Sequence, residues 1–432
     1  MKFIKSLIRR FIRFFIAVVV HKFIKQVFKG DIRQYTMVIA LVVFILIFHV
    51  ATGGKVITPS NFQNMINGYF YVLLMALGML MVIVIGQIDL SVGSVAAFTG
   101  MFLAIMARDF GVPWPLAILS SLVVGAAIGS LQGFWLSRLN VPGFITTLGG
   151  MMIFRGATIW ISGSKSVPVP EQLKVLGGGY LPDWGRELTG LNNVTILLGI
   201  IAIAAYAYLQ LRRRSRSTKV TGEKEALWPV VLRIVLLGAV VGFMAFLFAS
   251  GRPKTSFPVP GLILFILILF YHTLTQRTRF GRSVYAVGGN KNAARLSGVN
   301  VPRTYFLTML NMSLLATLAG IMFVGRTTAA GPADGNMWEL DVIASVFIGG
   351  AAVSGGIGNV PSTMVGGLVM IVLSNGLQLL GVGADKTMVI KGAVLLIAVA
   401  LDILNKQQGR PSLIGRLFPS KETTEEKAAE ST

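Results

Sequence analysis

The chain has no cysteine, which removes disulfides, thiolate metal sites and cysteine nucleophiles at once. Histidine is almost as scarce. His21, His49 and His272 are far apart, too few to build a metal cluster, and each reads as an interfacial or packing residue. Charge is thin, at 13% of residues against about 25% in an ordinary soluble domain. No G-x-x-x-x-G-K-[ST] loop, H-E-x-x-H helix or G-x-S-x-G elbow occurs, so ATP hydrolysis by a P-loop and the common hydrolase chemistries have no residues to run on.

What is present is apolar surface: 54% hydrophobic residues, 49 glycines and a mean hydropathy of +0.73 over 432 residues. A soluble globular fold and a disordered chain are both excluded by that balance. A helix crosses the hydrocarbon core with about 20 apolar residues. Twelve segments meet or approach this: 35–51, 68–86, 93–107, 115–137, 144–162, 194–211, 230–250, 260–276, 304–324, 341–357, 361–381 and 386–404. The segments 93–107 and 341–357 are short or Gly-rich and read as broken or re-entrant helices, tolerable only where protein or a water-filled cavity surrounds them. The expected fold is therefore an all-α polytopic membrane protein with ten to twelve crossings.

Net charge is +22, but the placement of the cations explains it without a nucleic acid. With the N-terminus set in the cytoplasm, the cytoplasmic loops and termini hold 27 of the 39 Lys and Arg, and the opposite loops hold eight. Both termini are thus expected inside, facing anionic lipid. Residues 1–34 form a basic arm. Ile4, Leu7, Ile8, Phe11, Phe15 and Val18 share one helical face and Lys2, Lys5, Arg9 and Arg13 the other, the pattern of a helix lying on the inner membrane surface. The recurrence of basic residues to Lys29 argues against a cleavable signal peptide. The domain expected to span the membrane covers 35–404, and the tail 405–432 has the composition of a disordered segment.

Polar groups within spans are costly and need a reason. Gln87, Asp89 and Ser91 lie between two apolar runs, in Gly86-Gln87-Ile88-Asp89-Leu90-Ser91-Val92-Gly93-Ser94. Asp89 and Ser91 suit a helix cap near Gly93; the alternative is a broken helix beside a solute pathway, with Gln87 and Asp89 available to hydroxyls. Arg155 falls well inside a span, where it must find carbonyls, a carboxylate or a substrate. The run from Glu339 and Asp341 to Asn359 is rich in small residues, which suits close helix packing or a pore lining. Asn375 and Gln378 in the next span are further pathway candidates. Asp89, Asp341, Asp385 and Asp402 all sit near span ends, which weakens an ion-coupled carrier, since such carriers place carboxylates within helices.

The most informative stretch is the cytoplasmic segment 277–303. Asn290 is placed to cap a short helix over Asn292–Ser297 that Gly298 terminates. Read alone, it is either an anchored loop or a docking element for a soluble partner. Its sequence, T-R-F-G-R…Y-A-V-G-G-N…A-A-R-L-S-G-V-N-V, resembles the cytoplasmic coupling segment of permease subunits of ribose/xylose-type ATP-binding-cassette sugar importers. Three other stretches agree with that resemblance: Ile88–Ser94; Thr147–Met151 with Phe154-Arg155-Gly156; and Glu339–Ala344 leading into Ile348-Gly349-Gly350. It runs in order over about 58–404, while the basic 212–229 insertion and Lys391–Leu396 with Asp402 look most like the xylose or multiple-sugar branch.

The resemblance implies a homodimer, an ATPase subunit with two fused cassettes below it, and an extracytoplasmic sugar-binding protein above it. It implies no cofactor and no catalytic residue on this chain. Coupling would pass through Arg279, Gly281, Arg282, Tyr285, Gly289, Asn290, Ala293, Ala294 and Gly298. A nucleoside permease of the same superfamily is the alternative. The amphipathic arm lies outside what the resemblance covers.

Overall fold

In hydrocarbon every backbone N–H and C=O must be satisfied internally, so long apolar runs fold as helices. The computed structural model describes residues 32–221, 226–253 and 255–407. Its principal helices are α1 (Ile32–Ala51), α2 (Pro59–Val84), α3 (Val92–Arg108), α4 (Trp114–Ser137), α5 (Gly143–Ser162), α6 (Asn193–Thr221) and α7 (Leu227–Ala249). They continue with α8 (Val259–Arg277), α9 (Arg279–Gly289), α10 (Lys291–Leu296), α11 (Val301–Thr327), α12 (Trp338–Ile348), α13 (Val360–Leu379) and α14 (Ala384–Gln407). Proline stands at the first turns of α2, α4, α8, α11 and α13, where its missing N–H costs nothing. The arm expected over 1–34 and the tail over 405–432 lie outside the described residues, apart from 32–34 and 405–407 at the ends of α1 and α14.

Among the described residues, eight helices are long and apolar enough to cross a membrane (α2, α4, α5, α6, α7, α8, α11 and α13), and α1 and α3 are apolar but shorter. The described residues divide into two units, 35–197 with 245–398, and 198–244 with 32–34 and 399–407. In the larger unit α2 is the axis: Phe70, Leu74, Met75, Leu77, Met79 and Leu80 are fully buried. Helices α11, α12 and α13 also belong to this buried centre, whereas α4, α5 and α8 expose apolar side chains such as Phe134, Trp160 and Phe270, as lipid-facing helices do. In the smaller unit, α7 approaches α6 at Gly238, where an added Cβ would meet Ile203 at 3.6 Å.

Helix α4 lies antiparallel along α11 on a stripe of glycines. A side chain at Gly125, Gly129 or Gly133 would run into Thr317, Ser313 or Phe306. At that distance the Ser313 hydroxyl donates to the Gly125 carbonyl at 2.7 Å. Small residues here replace the hydrophobic effect, which lipid tails do not supply, with close backbone contact.

Two crossings are broken. The span expected over 341–357 is helical only through Ile348. Helix α12 has 11 residues, a length of about 16 Å and so half the hydrocarbon thickness. The chain from 349 to 359 is irregular, because Gly350, Gly355 and Gly356 hold φ of +84°, +82° and +77° and cannot continue a helix. Of the two Gly-rich segments, 93–107 is the continuous one: α3 is unbroken, and the irregular chain is the stretch before it, 85–91.

Candidate translocation site and coupling surface

Within the stretch 85–91, Ile85, Asp89 and Ser91 are buried, and the polar groups of Gln87, Asp89 and Ser91 find partners in the protein. Asp89, 1% exposed, accepts from the Ser91 amide at 2.8 Å and the Ser91 hydroxyl at 2.6 Å. That hydroxyl accepts in turn from Gln132 Nε2 at 2.9 Å. Gln87 Oε1 accepts from the Gly143 amide at 3.1 Å, and Thr147 donates to the Ile88 carbonyl at 3.1 Å. Asp89 thus holds the turn before α3, whereas the expected side-chain cap is not formed: the N-cap residue Ser91 makes no side-chain bond to the first helix amides.

The second break is built at the other end of α11. The strands β1 (Val167–Pro168) and β2 (Ala329–Ala330) pair antiparallel, and the turn after β2 is held by Asp334, which accepts from the Gly331 amide at 2.7 Å. The chain then dips inward. Trp338, first residue of α12, stacks on Tyr71 with ring centroids 4.1 Å apart and meets Phe323 edge-on at 4.6 Å. Tyr71 lies about midway along α2, so α12 starts at mid-depth.

The starts of the two short helices meet. A Cβ on Gly93 would overlap the Gly335 carbonyl and lie 2.7 Å from Glu339 Oε2, so only glycine allows the approach. Both helices begin at this level, so the positive ends of their dipoles lie there. Glu339 lies 3.5 Å from Arg155 of α5, and Asp341 accepts from Lys391 of α14 at 2.8 Å. Above Arg155 an open cavity of about 430 Å³ is lined by Arg155, Ser164, Asp334 and Asn336, with Ile159, Pro332 and Ala333 as its apolar wall.

The candidates from sequence therefore fall in three places. Gln87, Asp89 and Ser91 join Gln132 beneath α3. Arg155 pairs with Glu339 and lines the cavity with Asp334. Asn375 is buried at the far end of α13 and exchanges two hydrogen bonds with Asn61 of α2, at 2.9 and 3.0 Å, while Gln378 accepts from Tyr69 at 3.1 Å. Sequence reasoning did not pick out Asp334, Asn336 or Gln132. A signal for the site was present: Asp89-Leu90-Ser91-Val92 and Glu339-Leu340-Asp341-Val342 share the pattern carboxylate-Leu-x-Val, each at the head of a short helix. Paired short, Gly-interrupted segments of that kind point to binding sites in transporters.

On the cytoplasmic side the expected helix is present as α10. The Asn290 side chain accepts from the Ala293 amide at 2.9 Å, and Gly298, at φ +81°, closes it. Thr278 caps α9 by accepting from the Gly281 amide at 3.1 Å, and a side chain on Gly281 would overlap the Leu274 and Thr275 carbonyls. Helix α9 buries Gly281, Val284 and Val287 and exposes Arg279, Arg282 and Gly289. In α10 Ala294 is buried, while Ala293 and Leu296 are exposed, Leu296 at 91%. Tyr285 donates to the Gly358 carbonyl at 2.7 Å, and burial pushes its hydroxyl above the usual tyrosine range, so it stays protonated.

A polytopic helical bundle with two broken crossings and a capped cytoplasmic helix pair defines a membrane permease. The chain belongs to the family described as branched-chain amino acid transport system / permease component, whose profile matches residues 61–399. It is 35% identical over 379 residues to the xylose transport system permease protein XylH of Haemophilus influenzae, covering 88% of this chain and 98% of that one. It is 32% identical over 383 residues to the ribose import permease protein RbsC of Escherichia coli K12, covering 88% and 96%. The probable ABC transporter permease protein YphD of Escherichia coli K12 is 29% identical, with 89% and 94% covered. No solved structure matches the chain. It is a transport subunit and a multi-pass protein of the bacterial cytoplasmic membrane.

Proposed function

We propose that the chain carries a monosaccharide, xylose or a related aldose, inward across the cytoplasmic membrane as the permease of an ATP-binding-cassette importer. The observation that carries this reading is the near end-to-end similarity to the xylose permease, 98% of whose length is matched. In this reading a separate ATPase subunit with two cassettes docks on α9 and α10, and an extracytoplasmic sugar-binding protein delivers the sugar at the cavity above Arg155. Two copies of the chain make the pathway.

Coupling follows from the contacts of α9. ATP-driven closure of the cassettes moves α9, and α9 is tied through Tyr285 to the chain leaving α12. The far end of α12 carries Glu339, beside Gly93 and Arg155. Uptake of labelled xylose, ribose and glucose into proteoliposomes tests the reading. Transport that requires ATP, the ATPase and the binding protein supports it and names the sugar. Transport by this chain alone under an ion gradient overturns it in favour of a secondary carrier.

A further inference from the structure

We infer that the cytoplasmic end of α6, with the start of α7, is a binding site for an anionic phospholipid. Arg212 and Arg213 take the headgroup phosphate and the turn before them takes the acyl chains, whether or not the chain imports a sugar. Helix α6 does not stop where its apolar run ends. It continues from Leu211 straight into Arg212-Arg213-Arg214 and runs on to Thr221. The cations are therefore held on a helix at the level where hydrocarbon gives way to headgroups. Arg212 and Arg213 are exposed, and no carboxylate among the described residues forms an ion pair with either. The Arg212 guanidinium lies 6.0 Å from the centre of the Tyr208 ring, a cation–π arrangement that holds it against the helix.

The surface around these arginines suits a lipid better than a soluble acidic protein. Tyr208, Leu209 and Leu211, in the last apolar turn of α6, are exposed, and so are Leu227 and Trp228 in the first turn of α7. The two helices approach each other at Gly238 and Ile203. At 1.5 Å per residue from that contact, Arg212 lies about 14 Å and Trp228 about 15 Å toward the cytoplasm, so the indole stands at the depth of the arginines. Apolar side chains at that depth need acyl chains, and the cations just beyond need an anion; a phospholipid supplies both in one molecule. Residues 212–229 hold six Lys or Arg against two Glu. A zwitterionic headgroup brings an ammonium to this surface along with its phosphate, so the net charge selects an anionic lipid. Orientation in the membrane needs only cations of either kind. Consecutive arginines add forked donors that match phosphate oxygens two at a time.

Trp228 makes the site directly testable with lipids that quench fluorescence. The full chain is reconstituted in phosphatidylcholine vesicles that carry, at equal fractions, either acyl-brominated phosphatidylglycerol or acyl-brominated phosphatidylcholine. The part of the tryptophan quenching that disappears in Trp228→Phe reports the lipid beside the first turn of α7. That part is expected to be severalfold larger with the brominated phosphatidylglycerol, and to shrink in high salt because the cations are exposed. Arg212→Gln combined with Arg213→Gln should bring the two lipids to parity without changing the melting temperature. Native mass spectrometry of the purified chain checks the same point without the indole: the wild type should keep phosphatidylglycerol that the double variant loses. Equal quenching by the two lipids in the wild type overturns the site, as does a phosphatidylglycerol preference that survives the double variant. Equal retention of the lipid by both proteins in the mass spectra overturns it too. If the double variant keeps the lipid preference but loses an ATPase subunit in detergent, the arginines belong to an acidic protein partner instead.

Discussion

The Tyr285 hydroxyl donates to the Gly358 carbonyl at 2.7 Å, and this bond joins cytoplasmic helix α9 to the chain that leaves the short helix α12. Tyr285→Phe keeps the ring and its packing and deletes one hydrogen bond worth about 1 kcal/mol. The expected result is a complex that assembles and hydrolyses ATP at the wild-type rate but moves less sugar per ATP. Parallel measurement of phosphate release and labelled-sugar uptake checks it, and an unchanged ratio would remove Tyr285 from the coupling route.

Two adjacent glycines of α9 should behave oppositely. A side chain on Gly288 would overlap the Val84 carbonyl and lie 2.8 Å from the Gly356 amide nitrogen, which itself donates to Val84 at 2.8 Å. Gly289 has nothing within 4 Å of its added Cβ. Gly288→Ala is therefore expected to push α9 off the end of α2, lowering the melting temperature of the purified protein and abolishing coupling. Gly289→Ala should leave the melting temperature unchanged or slightly raised, since alanine in a helix gains up to about 1 kcal/mol over glycine. Thermal unfolding in detergent, followed by tryptophan fluorescence, separates the two.

Leu296 is 91% exposed at the end of α10, beside the exposed Ala293 and Arg295. A large apolar side chain that far into the aqueous phase, on a helix locked by its Asn290 cap, is suited to a pocket on a soluble partner. Leu296→Glu and Ala293→Asp are expected to leave membrane insertion and melting temperature unaltered while abolishing co-purification with the ATPase subunit. Retention of the ATPase by both variants would place its contact elsewhere.

How far the sequence carried this picture depended on whether the signal was local. The α10 cap and its glycine stop were legible because Asn290 acts on Ala293 within one turn and Gly298 follows directly on the end of the short helix. The spans were legible because apolar runs fold as helices in lipid wherever they occur. The break at α12 was legible as a short, Gly-rich segment, and the dip of 331–337 to mid-depth was not, since it depends on Trp338 stacking on Tyr71 far away in the chain. Arg155 could be identified as needing a partner, but Glu339 is the partner only after folding. Asn375 looked like a pathway residue because a polar amide in a span usually serves one. Its reciprocal bonds to Asn61, 314 positions earlier and invisible in the sequence, tie α13 to α2.

The pair of Lys391 and Asp341 offers a separate test of how α12 is held. The ammonium donates to the carboxylate at 2.8 Å, with the two side chains 22% and 10% exposed. Neither group has a cheap alternative at that depth, so removing one strands the other. Lys391→Met should cost about 2–3 kcal/mol, near the insertion penalty of a lone buried charge, and Asp341→Asn should cost somewhat less because lysine can extend toward the interface. The double variant leaves no unpaired charge and should recover much of the loss, as happens when a buried ion pair is replaced whole. Unfolding of the four proteins in one detergent gives the coupling directly. Additive losses would mean that the pair does not hold α12 to α14, whereas recovery in the double variant identifies it as the clamp on the short helix that carries Glu339.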